Sequence, residues 1–216
     1  MKAVLFDLDG TLVDSSIGIT RSVQYALKHF GIEEKDTAKL HAFIGPPLFD
    51  SFQKYYNFSE EQAGEAVVKY RERYKKTGIL ECRLYPGAEN CIRALKGQGF
   101  LVCLASSKPE TFCKQILGNC GILELFDEVV GATLDGSRSS KEQILDEVFK
   151  RWSRIPRESL CLVGDTIYDA LGAKQAGIAF VAVTFGFGNL EEMKEAGVDA
   201  ICQKMDELPE ILERLI

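Results

Sequence analysis

From Phe100 onward the chain repeats one pattern, a short apolar run followed by a stretch of helical period. The runs are FLVCLA from Phe100, VVGA from Val129, LCLVG from Leu160 and AFVAVT from Ala179. The spacing predicts helices over about 109–117, 140–152, 167–176 and 190–196. In the second of these, Ile144, Leu145, Val148, Phe149 and Trp152 share one face and charged residues occupy the other. Strands that alternate with helices form βαβ units, so the pattern predicts an α/β fold built on a doubly wound parallel sheet.

A further strand is expected at the start of the chain, where Ala3, Val4, Leu5 and Phe6 form the continuous apolar run of a strand covered on both faces. It leads directly into Asp7 and Asp9. A carboxylate buried without a partner costs on the order of several kcal/mol, so something must compensate these two. Asp9-Gly10 could be no more than a turn signal, but that reading leaves Asp7 unexplained. Residues two apart on a strand point the same way. The pair therefore lies on one side at the end of a buried strand, where carboxylates bind a hard cation or attack a substrate.

Between Ser15 and Cys82 the texture changes to helices without a convincing strand. Ile19, Val23, Ala26, Leu27 and Phe30 recur at helical spacing, a second helix is expected after Pro46-Pro47, and Ala63, Ala66, Val67, Tyr70 and Tyr74 mark a third. Residues 15–82 thus read as an insertion into a core made of 1–14 and 83–216. The aromatic residues Phe49, Phe52, Tyr55 and Tyr56 read as packing within it. The 216 residues suffice for one medium-sized core with such an insertion, and the net charge of −6 with no basic run argues against a nucleic-acid partner. Seven cysteines, an odd number without a Cys-x-x-Cys pair, suit a reducing cytoplasmic compartment. No apolar stretch approaches the roughly 18 residues of a membrane span, and no signal peptide is expected.

In a parallel sheet, ligands sit outside the carboxyl ends of the strands. The first strand ends in Asp7-Leu8-Asp9-Gly10-Thr11, FLVCLA ends in Ser106-Ser107-Lys108, and LCLVG ends in Asp165-Thr166-Ile167-Tyr168-Asp169. Ser107-Lys108-Pro109-Glu110 could be a helix-capping box, which would leave Ser106 free for a ligand. Asp165 and Asp169 could simply favour a helix N-terminus. Lys141, in the first turn of the helix after VVGA, opposes the helix dipole by ~0.3–1 kcal/mol, which makes sense if an anion binds there. Its removal is expected to leave the fold at least as stable. Lys108 is expected nearer the surface. Together these residues read as a cation site beside a hydroxyl and a lysine suited to phosphate; Asp7, the Asp9 carbonyl and Asp165 offer the oxygen ligands that Mg²⁺ prefers. Gly186-Phe187-Gly188 is a lone Gly-x-Gly with no third glycine in register and does not indicate a dinucleotide site.

LFDLDGTLVD, LASSKP, Lys141 and VGDTIYDALGAKQAG resemble, in order and spacing, the four motifs of the haloacid dehalogenase-like hydrolases. The insertion at 15–82 resembles their α-helical cap. The resemblance implies an Asp7 nucleophile, an Asp9 acid/base, phosphate ligands Ser106, Ser107 and Lys141, Mg²⁺ held by Asp7, Asp9 and Asp165, and support from Asp169, Gly10 and Thr11. YPGAENCIRALKGQG and IGPPL are most similar to phosphoglycolate phosphatase-like enzymes, although LDGSRSSKEQIL departs from their usual lysine-proline form. The implied substrate is a small phosphorylated metabolite such as phosphoglycolate or a nucleotide or sugar phosphate. Pyrophosphate hydrolysis, sugar-phosphate mutase chemistry and a phospho-receiver domain are the alternatives, and the oligomeric state is not indicated.

Overall fold

The computed structural model describes residues 2–216 and resolves the chain into two compact units, Met1–Asp14 with Leu84–Ile216, and Ser15–Arg83. In the first unit, the strands are β1 (Ala3–Phe6), β2 (Val13–Asp14), β3 (Arg83–Leu84, straddling the unit boundary), β4 (Leu101–Pro109), β5 (Glu128–Ala132), β6 (Leu160–Gly164), β7 (Ala179–Val183) and β8 (Ala200–Cys202). β2 pairs with β3 in a two-stranded ribbon. The other six form one sheet in the order β5-β4-β1-β6-β7-β8, and every pair within it is parallel.

The second unit contains α1 (Ser16–His29), α2 (Leu48–Tyr56) and α3 (Glu60–Tyr74). Ser59 and Gln62 form a reciprocal capping box that starts α3, and Phe43, Phe52, Tyr56 and Phe58 pack ring against ring. Of the four aromatics expected to pack, Phe52 and Tyr56 do so, Tyr55 touches Phe43 while staying largely exposed, and Phe49 is exposed. The first unit carries α4 (Ala88–Gly97), α5 (Glu110–Asn119), α6 (Lys141–Arg151), α7 (Ile167–Ala176), α8 (Leu190–Ala196) and α9 (Leu208–Leu215). Among the described residues no helix is long and apolar enough to cross a membrane.

Side-chain alternation divides the sheet between two helical layers. Ala3 and Leu5, with Cys103, Ala105, Val130, Leu160, Leu162 and Phe180, pack against Ile144, Leu145 and Val148 of α6 and Ala170 and Ala173 of α7. Val4, Phe6, Val102 and Val163 face the opposite way and are fully buried. Helices α4 and α5 lie against β4 and β5, and α9 against β8. β8 and α9 lie beyond the last element expected from sequence; three residues of strand are too short for a periodic signal.

The order in which strands are added to the sheet reverses around β1. From β1 the sheet grows outward through β4 to β5, and then returns to the other side of β1 for β6 and β7. This switch point leaves the carboxyl ends of β1, β4 and β6 side by side, the place where open α/β sheets bind ligands. Because Phe6 lies in the central strand and is fully buried, Phe6→Ala is expected to lower unfolding free energy by ~3–5 kcal/mol, measured by urea denaturation.

Candidate active site

Asp7 follows β1 directly, and its amide N–H continues the ladder by donating to the Val163 carbonyl at 2.9 Å. Sharing the parity of Ala3 and Leu5, it points toward the layer that contains α6 and α7. There the Lys141 ammonium donates to Asp7 Oδ1 at 2.7 Å and to the Ala105 carbonyl at 2.8 Å, and lies 2.7 Å from Asp169 Oδ1. One ammonium therefore links β1, β4, α6 and α7. Burial would lower the Lys141 pKa, but the Asp169 and Asp7 carboxylates reverse the effect and hold it above the ordinary lysine range.

The structure argues against the expectation that Lys141 removal would spare the fold. Lys141 is the first residue of α6, yet it is 6 % exposed and paired with buried carboxylates. A helix-dipole effect of about 0.3–1 kcal/mol is small beside the cost of stranding two buried carboxylates. The helix N-terminus is served separately, by a capping box between Ser140 and Gln143.

Lys108 is also placed differently from the sequence expectation. Its side chain is 7 % exposed, and its ammonium donates to Asp9 Oδ2 at 2.5 Å. The cause is local: β4 runs through Ser106, Ser107 and Lys108 to Pro109, with a register shift against β5 between Ser106 and Pro109. The extended backbone carries Lys108 inward. For the same reason Ser107 caps no helix, since α5 begins at Glu110 with Pro109 in the cap position. Ser107 is half-buried; Ser106 is 2 % exposed, and its hydroxyl accepts from the Lys108 amide at 3.3 Å.

Asp165 lies just beyond β6 and is fully buried. Thr11 donates its hydroxyl to Oδ1 at 3.3 Å, and the Phe187 amide donates to Oδ2 at 2.8 Å. Asp169 is the third residue of α7, where Oδ2 accepts from the Thr166 amide and hydroxyl in a capping box. It therefore serves the helix end while facing Lys141. Gly10 has φ +85°, and a Cβ there would lie 2.1 Å from Asp165 Oδ2, so the turn after Asp9 needs glycine both for conformation and for close approach.

Asp7, Asp165 and Asp169 each offer a carboxylate oxygen, all within 4.8 Å of one another. Asp9 is turned aside toward Lys108, and its Oδ1 is buried with no hydrogen-bond partner. Four buried carboxylates thus face two ammoniums, an excess of two negative charges when all are ionised. Burial pushes the Asp7 carboxyl up to about 6, with Lys141 opposing and Asp169 and Asp9 adding to the rise. Burial, together with the Asp169 and Asp7 charges, pushes Asp165 well above the carboxylate range. This all-oxygen donor set and its surplus charge fit a hard divalent cation. Ser106 and Ser107 lie near the end of β4, Gly10 and Thr11 follow β1, and Lys141 starts α6 and reaches Asp7 at the end of β1, so these residues lie toward one end of the sheet. Lys108 and the Phe187 amide were missed.

The sequence profile described as "Haloacid dehalogenase-like hydrolase" matches residues 4–183. A curated 5'-nucleotidase of Pseudomonas aeruginosa is 40% identical over 210 residues, covering 97% of this chain and 95% of that protein. The tyrosine-protein kinase PtkA of Mycobacterium tuberculosis is 34% identical over 213 residues, covering 98% and 72%. A crystal structure of a predicted phosphatase from Clostridium acetobutylicum superposes with a TM-score of 0.96 at 42% identity, covering 99% of each chain.

Two outcomes follow for the protein in solution. In chelator, Lys141→Ala is expected to lose ~3–5 kcal/mol of unfolding free energy, because it strands buried carboxylates; denaturant melts read this directly. The folded Asp7 pKa of about 6 exceeds the ordinary 3.8, so the metal-free fold loses stability from this group as pH rises through that window. A bound cation requires the ionised form. The gain in melting temperature from millimolar MgCl₂ over chelator should therefore grow between about pH 5 and about pH 8, and a gain that shrinks over this range would contradict the site.

Proposed function

Because the chain belongs to the haloacid dehalogenase-like hydrolases, we propose that it is a Mg²⁺-dependent phosphatase acting on small phosphomonoesters through an aspartyl-phosphate at Asp7. The observation that carries this reading is the unequal treatment of the two aspartates. Lys141 anchors one oxygen of Asp7, while Lys108 anchors one oxygen of Asp9 and leaves the other buried and partnerless. A fixed carboxylate suits in-line attack; a carboxylate with one committed and one open oxygen suits proton exchange.

In the first step an Asp7 oxygen attacks phosphorus, the bond from phosphorus to the ester oxygen breaks, and Asp9 delivers a proton to that leaving oxygen. In the second, Asp9 takes a proton from water as the water oxygen attacks the phosphorus of the aspartyl-phosphate, releasing inorganic phosphate and restoring Asp7. Lys141 and Ser106 hold the phosphoryl oxygens, with Ser107 beside them, and Asp169 keeps Lys141 in place. Asp7, the Asp9 carbonyl and Asp165 would hold Mg²⁺, which supplies electrostatic stabilisation of charge on the phosphoryl group when bound. Gly10 and Thr11 support Asp165.

The nucleotidase relative, aligned over nearly the whole of both chains, favours a nucleoside monophosphate within the substrate class; phosphoglycolate is the candidate suggested by sequence motifs. Substrate selection is assigned to the helical unit Ser15–Arg83, the segment inserted into the core. The seven cysteines form no disulfide and the net charge is −6, in keeping with a cytoplasmic metabolic enzyme.

Asp7→Asn should abolish turnover. Asp9→Asn should retain Mg²⁺ affinity, since its carbonyl remains, but should lose at least about tenfold more activity on alkyl phosphates than on p-nitrophenyl phosphate, whose leaving group hardly needs a proton. Steady-state assays of released phosphate on both substrates, with Mg²⁺ titrations, check this. Equal losses on the two substrates together with collapsed Mg²⁺ binding would show that Asp9 ligates through its side chain instead.

A further inference from the structure

The segment Phe185-Gly186-Phe187-Gly188 follows β7 and has no part in the reaction as written. It nevertheless encloses Asp165. The Phe187 amide donates to Asp165 Oδ2 at 2.8 Å. A Cβ added at Gly186 would lie 2.3 Å from that same oxygen and 2.4 Å from the Asp165 Cβ, and one added at Gly188 would lie 1.8 Å from the Asp165 carbonyl oxygen. No side chain fits at either position. Gly10, by contrast, also has a left-handed backbone; Gly186 and Gly188 do not, so space alone requires glycine there.

We propose that Gly186-Phe187-Gly188, together with Thr11, is a positioning element that locks the Asp165 carboxylate for metal binding. This rests on the reading of Asp165 as a metal ligand. The two carboxylate oxygens receive one donor each, from Thr11 on Oδ1 and Phe187 on Oδ2. Each oxygen therefore keeps lone-pair capacity for a cation while the carboxylate plane is fixed from both ends. The two glycines let the backbone close on Asp165 from β7, and Thr11 does so from the turn after β1. A carboxylate held in this way needs no reorientation when the cation arrives.

The test measures metal affinity without turnover, by calorimetric titration of the purified full chain with MgCl₂ and MnCl₂, alongside melting in chelator and the metal dependence of kcat. Gly186→Ala should weaken metal binding about 10–100-fold, the usual cost of losing an outer partner of a metal ligand. Excess metal should restore most of its kcat, with the substrate KM nearly unchanged. Thr11→Val keeps the side-chain shape and removes only the hydroxyl donor, so it should fold normally and still bind metal several-fold more weakly. If Gly186→Ala lowers the melting temperature while the folded fraction binds metal with parental affinity, the segment is merely structural and the proposal is wrong. If Gly186→Ala does not fold, Thr11→Val decides: parental affinity there overturns the proposal. Asp165→Asn separates the two levels of inference. Undiminished metal affinity in that variant removes Asp165 from the metal site and the positioning role with it, whereas loss there combined with parental affinity in Gly186→Ala and Thr11→Val refutes the positioning role alone.

Discussion

Surplus negative charge in a dry place is the constraint around which the core is arranged. Asp7, Asp9, Asp165 and Asp169 are each at most 6 % exposed, and two lysines cannot neutralise them all. Water would screen such a group of charges at a surface; here the only compensation comes from Lys141, Lys108, a few oriented donors and whatever ligand enters. The fold tolerates this because the remaining strand residues are almost wholly apolar and closely covered by helices on both faces.

The two ammoniums give the carboxylates they hold different freedoms, Lys141 taking Asp7 and Asp169 and Lys108 taking Asp9. Lys141 has three oxygen neighbours drawn from three separate segments, so it acts as a cross-link as much as a counter-charge. Lys108 is attached to one carboxylate oxygen and arrives on an irregular stretch of strand. Chemically similar side chains thus hold Asp7 rigidly from the helix layer and Asp9 from the neighbouring strand. The difference in environment between two aspartates only two positions apart follows from which element supplies each partner.

Much of this was legible in the sequence. The apolar runs located β1, β4, β5, β6 and β7, and helical spacing located the three helices of the inserted unit and α5 to α8 of the core, because a doubly covered parallel sheet writes its burial directly into composition. Asp7 stood out as a charge at the end of such a run. What the sequence did not show depended on geometry that no local pattern encodes. Lys108 looks like a surface residue until the register shift beyond Ser106 turns it inward. Lys141 reads from sequence as a first-turn cation waiting for an anion, and only the parity of β1 shows that Asp7 is the carboxylate beneath it. The closeness of Gly186 and Gly188 to Asp165 is invisible because the partners lie on different strands, and glycine-x-glycine alone does not say what the backbone approaches.

The separations along the chain have a consequence for how the molecule matures. Lys141 and Asp7 are 134 residues apart, and Thr11 and Asp165 are 154 apart. The first contact waits for α6 and the second for β6, and both are reached only after the intervening helices and strands have been made. Pairings of such long range are slow, because loop closure precedes the contacts that reward it. During synthesis, the emerging chain therefore carries Asp7 in an open, solvated first strand. The buried carboxylate cluster is assembled only when the last third of the core arrives, so the same long-range contacts that complete the fold also set the moment at which that cluster exists.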